Sequence, residues 1–353
     1  MYQNEITDAS LITVSSLLYG TIGGVFAEQL GSATVQNGGV YSGNIDRQFV
    51  VEIDSVAGGK EVGQATFKWS DTGGVTWNET GVLTQTDPYL MSYGVTVKFT
   101  TGSGDDFELE DRWSWICSNN YGTQKLIDLD REYWYQSRSL DNPNTITVDL
   151  GSAKNIKACE IFDHNFSSVA VITLMANDAD SWGSPSYSRV LTWNDEKIGV
   201  YLDETYRYWR LQVSNQTNPD GYIRVGELYL GSYMELSRNF ELGRGQKTVA
   251  SESSQRSKAG IERRELNYLQ EVFGITFKDL VENDITLLLA MFKQLKSVSQ
   301  RKSLPFFFNV DCENPNDTFL VHIEKELDRS NIRQYLDLYD VSMTLTEVSK
   351  SSA

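Results

Sequence analysis

The sequence predicts a mainly β, multidomain protein. Three observations carry this: apolar residues alternate with polar ones along many short segments, aromatic residues are plentiful, and the charge balance changes abruptly late in the chain. Eighteen Tyr, fifteen Phe and eight Trp suit the half-buried surface of a sheet. At 353 residues the chain exceeds one ordinary core, so two or three domains are expected.

Net charge is −17, which argues against nucleic acid as a partner, since that binding rests on basic patches. From Glu235 onward there are 16 basic and 18 acidic residues, against 15 and 30 before it. This break marks a domain boundary near residue 233. Cys117, Cys159 and Cys312 are widely spaced and odd in number, as reduced thiols of a chain made in the cytosol would be. The first residues lack the basic region of a signal peptide, and no apolar run has the length of a membrane span.

Residues 1–31 hold one strand around Ile6–Val14 and then a Gly-containing linker. Residues 32–118 read as a small antiparallel β module, with Phe49, Val51 and Ile53, then Ala65, Phe67 and Trp69, then Val95, Val97 and Phe99 alternating with polar neighbours. Ser70-Asp71-Thr72-Gly73-Gly74 supplies a hairpin turn. Trp113 and Trp115 read as core, with a sugar-stacking platform as the alternative. The run from Tyr41-Ser42-Gly43 through Phe67–Trp77 and Gly94–Phe99 to Asp111-Arg112-Trp113 resembles a β module recurring in phage tail and bacterial surface-appendage proteins. That resemblance implies a spacer role.

Residues 119–232 offer strands at Thr145–Leu150, Lys157–Asp163, Ala170–Ala176, Tyr206–Val213 and Tyr222–Leu230, with the turn Asn218-Pro219-Asp220-Gly221 before the last. Trp209, Leu211 and Val213 share the core face. Many short strands of this kind predict a jelly-roll β-sandwich. Trp134-Tyr135-Gln136-Ser137, Thr145–Gly151, Tyr208-Trp209-Arg210-Leu211 and Gly226–Gly231 stand in the order of the discoidin or galactose-binding-like family, which this segment of about 110 residues resembles. With Ile6–Val14 added to that sandwich, residues 32–118 become an insertion, the minor alternative to a separate module. Trp134, Tyr135, Trp182 and Trp193 are candidate stacking residues for a glycan. The resemblance also implies a structural calcium, for which Asp178 and Asp180 in Asn177-Asp178-Ala179-Asp180 are candidate oxygen ligands, though the spacing is not that of a known calcium loop. No other cofactor is expected.

Residues 233–353 read as a β domain covered by one helix at about 284–297, where Ile285, Leu288, Leu289, Phe292 and Leu295 recur at helical spacing behind an N-cap at Asn283 or Asp284. Gly274 suggests a bulge in the strand before it. The segment 243–260 is polar and basic, with Arg244, Lys247, Arg256 and Lys258, and reads as a long loop or assembly arm. Strands, one covering helix and a basic arm resemble the tail-tube and distal-tail architecture of phages. That resemblance implies a tail-tip or baseplate component forming a ring, by analogy a hexamer, among tube, hub or tape-measure-associated proteins. The virion is then its location, after assembly in the host cytoplasm.

The two histidines, His164 and His322, have no second His or Cys at ligand spacing, and no nucleophile or phosphate-loop motif occurs. Glu108 and Glu110, placed on a strand, share one face of an acidic surface. The expectation is a protein without catalytic activity. A structural tail component, a glycan-binding adhesin and, with least support, a glycan-degrading enzyme are the three readings.

Overall fold

A computed structural model describes residues 2–195, 197–241, 245–256, 262–297, 302–324, 328–333 and 338–348. The chain is mainly β, with antiparallel sheets and, among the described residues, a single α-helix.

The N-terminal segment is not a linker. Strands β1 (Tyr2–Asn4) and β2 (Ile12–Val14) pair with Gly231–Tyr233 and Ile146–Val148, far along the chain. Ile6 and Ile12 enter the same core as Trp209. The boundary expected at residue 31 is therefore revised, and the β module stands as an insertion into the sandwich. Asn119 closes its neck: the buried side-chain amide donates to Leu18 O at 2.8 Å and Gly43 O at 3.0 Å.

In the insertion, β3 (Arg47–Ser55), β4 (Thr66–Ser70) and β5 (Arg112–Ser118) form the middle of one sheet, and Thr34–Gly39 pairs with Val95–Thr100 in another. Phe49, Phe67, Phe99, Phe107, Trp113 and Trp115 fill the space between, so the tryptophans of these strands are core. Gly73 and Gly74 hold φ of 70° and 88° in the hairpin turn, where a β-carbon would be strained. Glu108 and Glu110 lie in a turn, not on a strand, and Glu110 has φ 70°. The neighbouring Asp111 accepts amide hydrogens from Leu30, Gly31 and Glu108. This acidic run is a set of loop pins.

The sandwich is built on two long strands, β6 (Asn144–Phe162) and β9 (Lys197–Ser214). The expected strands Thr145–Leu150 and Lys157–Asp163 are the two ends of β6. A register shift between Asp149 and Lys154 bends it, with Gly151 at φ 73°. One half pairs with β2 and, through β9, with β7 (Val171–Asn177) and β8 (Tyr187–Leu191). The other half pairs with β10 (Glu227–Tyr233), next to β1. Side chains from both halves, among them Ile146, Leu211, Ile161 and Leu228, share one core. Strands that bend between layers are a normal way to make such a sandwich.

In the C-terminal domain, β11 (Gly245–Arg256), β12 (Glu262–Val281), β13 (Phe306–Asn309), β14 (Thr318–Ile323) and β15 (Leu338–Glu347) form a sheet ordered β11-β12-β15-β14-β13. Helix α1 (Glu282–Leu295) lays Ile285, Leu288, Met291 and Leu295 on it. The expected side-chain N-cap is absent: Val281 holds that position, while Asp284 accepts from Ser237 N at 3.3 Å and from its hydroxyl. Gly274 stays in register with Thr344, and the irregularities of β12 lie at Asn267 and between Phe277 and Leu280 instead. The described part of the basic arm is not a loop either. Residues 245–256 form one strand of a long hairpin with β12, which carries Lys247 and Arg256 exposed; Arg244 and Lys258 lie outside the described residues.

The two larger units meet face to face. Phe162 and Tyr229 of the sandwich each place a ring 5.1 Å from Phe307, and Ala158 and Leu320 complete this apolar patch.

Candidate ligand-binding face of the sandwich

Alternation decides what the outer face of the sandwich presents. Because Trp209, Leu211 and Val213 point inward, Tyr208, Arg210 and Gln212 point out. Register then sets their neighbours: Tyr208 lies between Asp149 and Asn177, Arg210 between Thr147 and Met175, and Gln212 between Thr145 and Thr173.

The loop after β7 folds across this face. The Asn177 side chain holds it, donating to Ser181 O at 2.7 Å and accepting from the Ser186 hydroxyl at 2.9 Å. This places Trp182 beside Arg210. The guanidinium carbon lies 4.3 Å from the indole centroid, and the indole N–H donates to Asp180 Oδ1 at 2.6 Å. Arg210 is itself held by Thr147 Oγ1 at 2.8 Å. Cation–π contact and hydrogen bond together fix the ring as a platform. One row along, Arg207 grips both oxygens of Asp149 at 2.7 and 2.8 Å and lies 4.8 Å from the Tyr208 ring. Those bonds hold the Asp149 carboxyl below its ordinary range. The charges pair off, leaving a face with aromatic area, donors and acceptors but little net charge.

The four predicted aromatic residues do not converge. Tyr135 is fully buried, with its hydroxyl donating to Ser16 O at 2.5 Å, and is a core residue. Trp193 packs on the core and donates to Phe166 O at 2.8 Å. Trp134 is half-buried on a different element, 5.0 Å from the Arg224 guanidinium and 6.0 Å from the Tyr121 ring. Only Trp182 lies over the outer face described above. Tyr208 and Arg210 were missed, although the alternation that put Trp209 in the core already turned them outward; Arg207 shares the parity of Trp209 and sits at the register shift, so alternation gave no signal for it.

Asp178 and Asp180 are not gathered with a third acidic, His or Cys side chain among the described residues. Asp180 is engaged by Trp182 and lies 3.8 Å from Arg210, so its charge is already answered. Among the described residues no group of three or more His, Cys, Asp or Glu has the arrangement to hold a metal. His164 is buried and locally bonded. Its Nδ1 accepts from Phe166 N at 3.1 Å, which leaves Nε2 to donate to Asn194 O at 3.0 Å. Burial pushes this imidazole down to about 4. Burial also pushes Glu227, from the Gly226-Glu227-Leu228 motif, well above the carboxylate range. The described helix is too short to cross a membrane.

No protein-family model matches the chain, and no curated protein matches it. Among solved structures, a chitosan-binding module from a chitosanase/glucanase of Paenibacillus sp. IK-5 matches at 15% identity over 33% of this chain and 88% of its own, with a TM-score of 0.27. A fucose-binding module of Streptococcus pneumoniae matches at 14% identity over 32% of this chain and 84% of its own, TM-score 0.27. A Ruminococcus gnavus fucosidase in complex with fucose matches at 14% identity over 33% of this chain, TM-score 0.27; the chain spans only 23% of that enzyme. Likenesses of this size carry no argument about what this chain binds.

Proposed function

We propose that this chain is a non-enzymatic structural component of a phage tail tip or baseplate, which assembles with its own copies through the C-terminal domain and presents the sandwich for attachment to host surface glycan. The observation that carries the assembly half is the hairpin β11–β12. Residues 245–256, 262 and 264–267 are exposed almost throughout, with Val249, Leu266 and Leu269 at 43%, 49% and 56% exposure. A two-stranded hairpin is marginal alone in water, and among the described residues β11 ends its sheet, pairing on one side with β12. A neighbouring copy supplies what the isolated chain lacks. Identical head-to-tail contacts close into a ring; six-fold symmetry, and tube, hub or tape-measure-associated partners, come from the distal-tail resemblance. Virion location and assembly in the host cytoplasm follow from the same reading.

Mass photometry of the full chain tests assembly, beside a variant in which residues 248–271 are replaced by Asn-Gly to close the Lys247–Val272 pair. The intact chain forms closed oligomers and the shortened one stays monomeric. Equal assembly by both contradicts the reading.

A second reading, an adhesin whose main role is glycan binding, is favoured by Trp182, Arg210 and Asp180. Stacking area beside a donor–acceptor pair is what a sugar ring with vicinal hydroxyls requires.

A further inference from the structure

The joint between the sandwich and the C-terminal domain encloses a carboxyl group. Glu160, Phe162, Lys197, Gly199 and Tyr229 share the outward face of β6, β9 and β10, and the turn 315–317 with β14 lies on it. Gly199 N donates to Asn316 Oδ1 at 2.8 Å. Lys197 Nζ donates to Thr318 O at 3.0 Å and sits 4.0 Å from the Phe319 ring centroid. Glu160, 1% exposed, occupies the middle. The Thr318 hydroxyl lies 3.2 Å from its Oε1 and 2.8 Å from Pro315 O and shares one hydrogen between them, while Oε2 is buried without a partner.

Gly199 shows what Oε2 faces. A β-carbon there would meet Glu160 Oε2 at 2.4 Å and Pro315 O at 2.6 Å, so the two oxygens flank one point across the joint. Oε2 has no donor beside it, and a buried acceptor left so is unfavourable. A proton on Oε2 leaves the group neutral. Without it, a charge lies buried in the joint.

Other charged or titratable groups do not replace that proton. Lys197, on β9, is the cation that acts on Glu160, yet its ammonium is spent on Thr318 O and the Phe319 ring. Tyr229, opposite on β10, donates to Ser232 O. Asp317, Glu347 and Arg131 act on Lys197 from the far side, and Arg131 is committed to Asp163 and Glu347. Burial favours the neutral form of both partners, pushing Glu160 up and Lys197 down.

We propose that Glu160 makes this joint proton-operated: neutral, it closes the C-terminal domain onto the sandwich, and its ionisation separates the two while each stays folded. The step is loss of the Oε2 proton to solvent, with no other bond changed. The inference does not rest on the phage reading.

Small-angle scattering of the full chain from about pH 6 to about pH 10 tests it, with circular dichroism alongside. The expected result is a radius of gyration that rises in one transition at constant β signal, with Glu160→Gln flat across the range. Thr318→Val removes a donor that favours the charged form, so its transition moves to higher pH. A constant radius in the wild type, an expansion that coincides with loss of β signal, or opening of Glu160→Gln at the same pH overturns the proposal. Should Glu160→Gln fail to fold, the Thr318→Val midpoint decides, and an unshifted midpoint overturns it.

Discussion

Arg131 grips Asp163 through two parallel bonds of 2.7 and 2.8 Å and reaches Glu347 at 3.0 Å, tying the sandwich to the last strand of the C-terminal domain. All three side chains are at most 18% exposed. Arg131→Met therefore removes the guanidinium that both carboxylates bond. Breaking a buried pair this way costs about 3–5 kcal/mol. Urea denaturation is expected to show that loss; a change near zero contradicts the geometry.

Trp209 is 1% exposed and its ring lies about 6 Å from those of Tyr187 and Tyr206. Trp209→Ala is expected to cost about 3–5 kcal/mol. The isolated fragment 119–232 lacks β1 and β2, so it should be poorly folded by circular dichroism. Replacing residues 22–117 by a short Gly turn, which joins ends already adjacent at Thr21 and Ser118, should leave the sandwich folded. A cooperative 119–232 fragment would show that the N-terminal strands are dispensable.

The pH dependence of stability follows from three buried groups. His164 titrates near 6.5 when unfolded and about 4 when folded, because burial disfavours the imidazolium. A depressed histidine takes up its proton more readily in the unfolded chain, so its stabilisation is complete above about pH 6.5 and is lost as pH falls toward 4. Glu160 and Glu227 are raised, so they bind protons more tightly when folded. Their contribution is full below about 4.5 and fades as pH rises through their folded range. Denaturation midpoints at several pH values check both slopes. In His164→Gln the acid-side slope should flatten.

On the outer sandwich face, Trp182→Ala and Arg210→Met should each weaken binding to a neutral oligosaccharide by at least about tenfold, equivalent to 1.4 kcal/mol. Trp193→Phe, which alters a core contact, should leave affinity unchanged in a folded protein. A glycan array that responds to Trp193 or Trp134 but not Trp182 would move the site.

Strand periodicity made most of the fold readable. Phe67-Lys68-Trp69 and Trp209-Arg210-Leu211-Gln212-Val213 announce their faces by alternation, and α1 announces its stripe by Ile285, Leu288 and Leu295. Long-range pairing was harder. Tyr2–Asn4 is too short to signal a strand, and its partner lies more than two hundred residues away. Strand 245–256 gives no strand signal because it is exposed on both faces and carries no apolar alternation. At the candidate site, composition singled out the tryptophans but not which were core; Tyr135 shows that an aromatic beside a polar neighbour is as readily buried as displayed.

Assembly through the hairpin is the centre of this account, and cryo-electron microscopy of the purified full-length chain tests it most directly. The predicted result is a closed ring in which β11 of each copy lies against the next, covering Val249, Leu266 and Leu269. A monomer, or a ring whose contacts leave both faces of every hairpin in solvent, would contradict it.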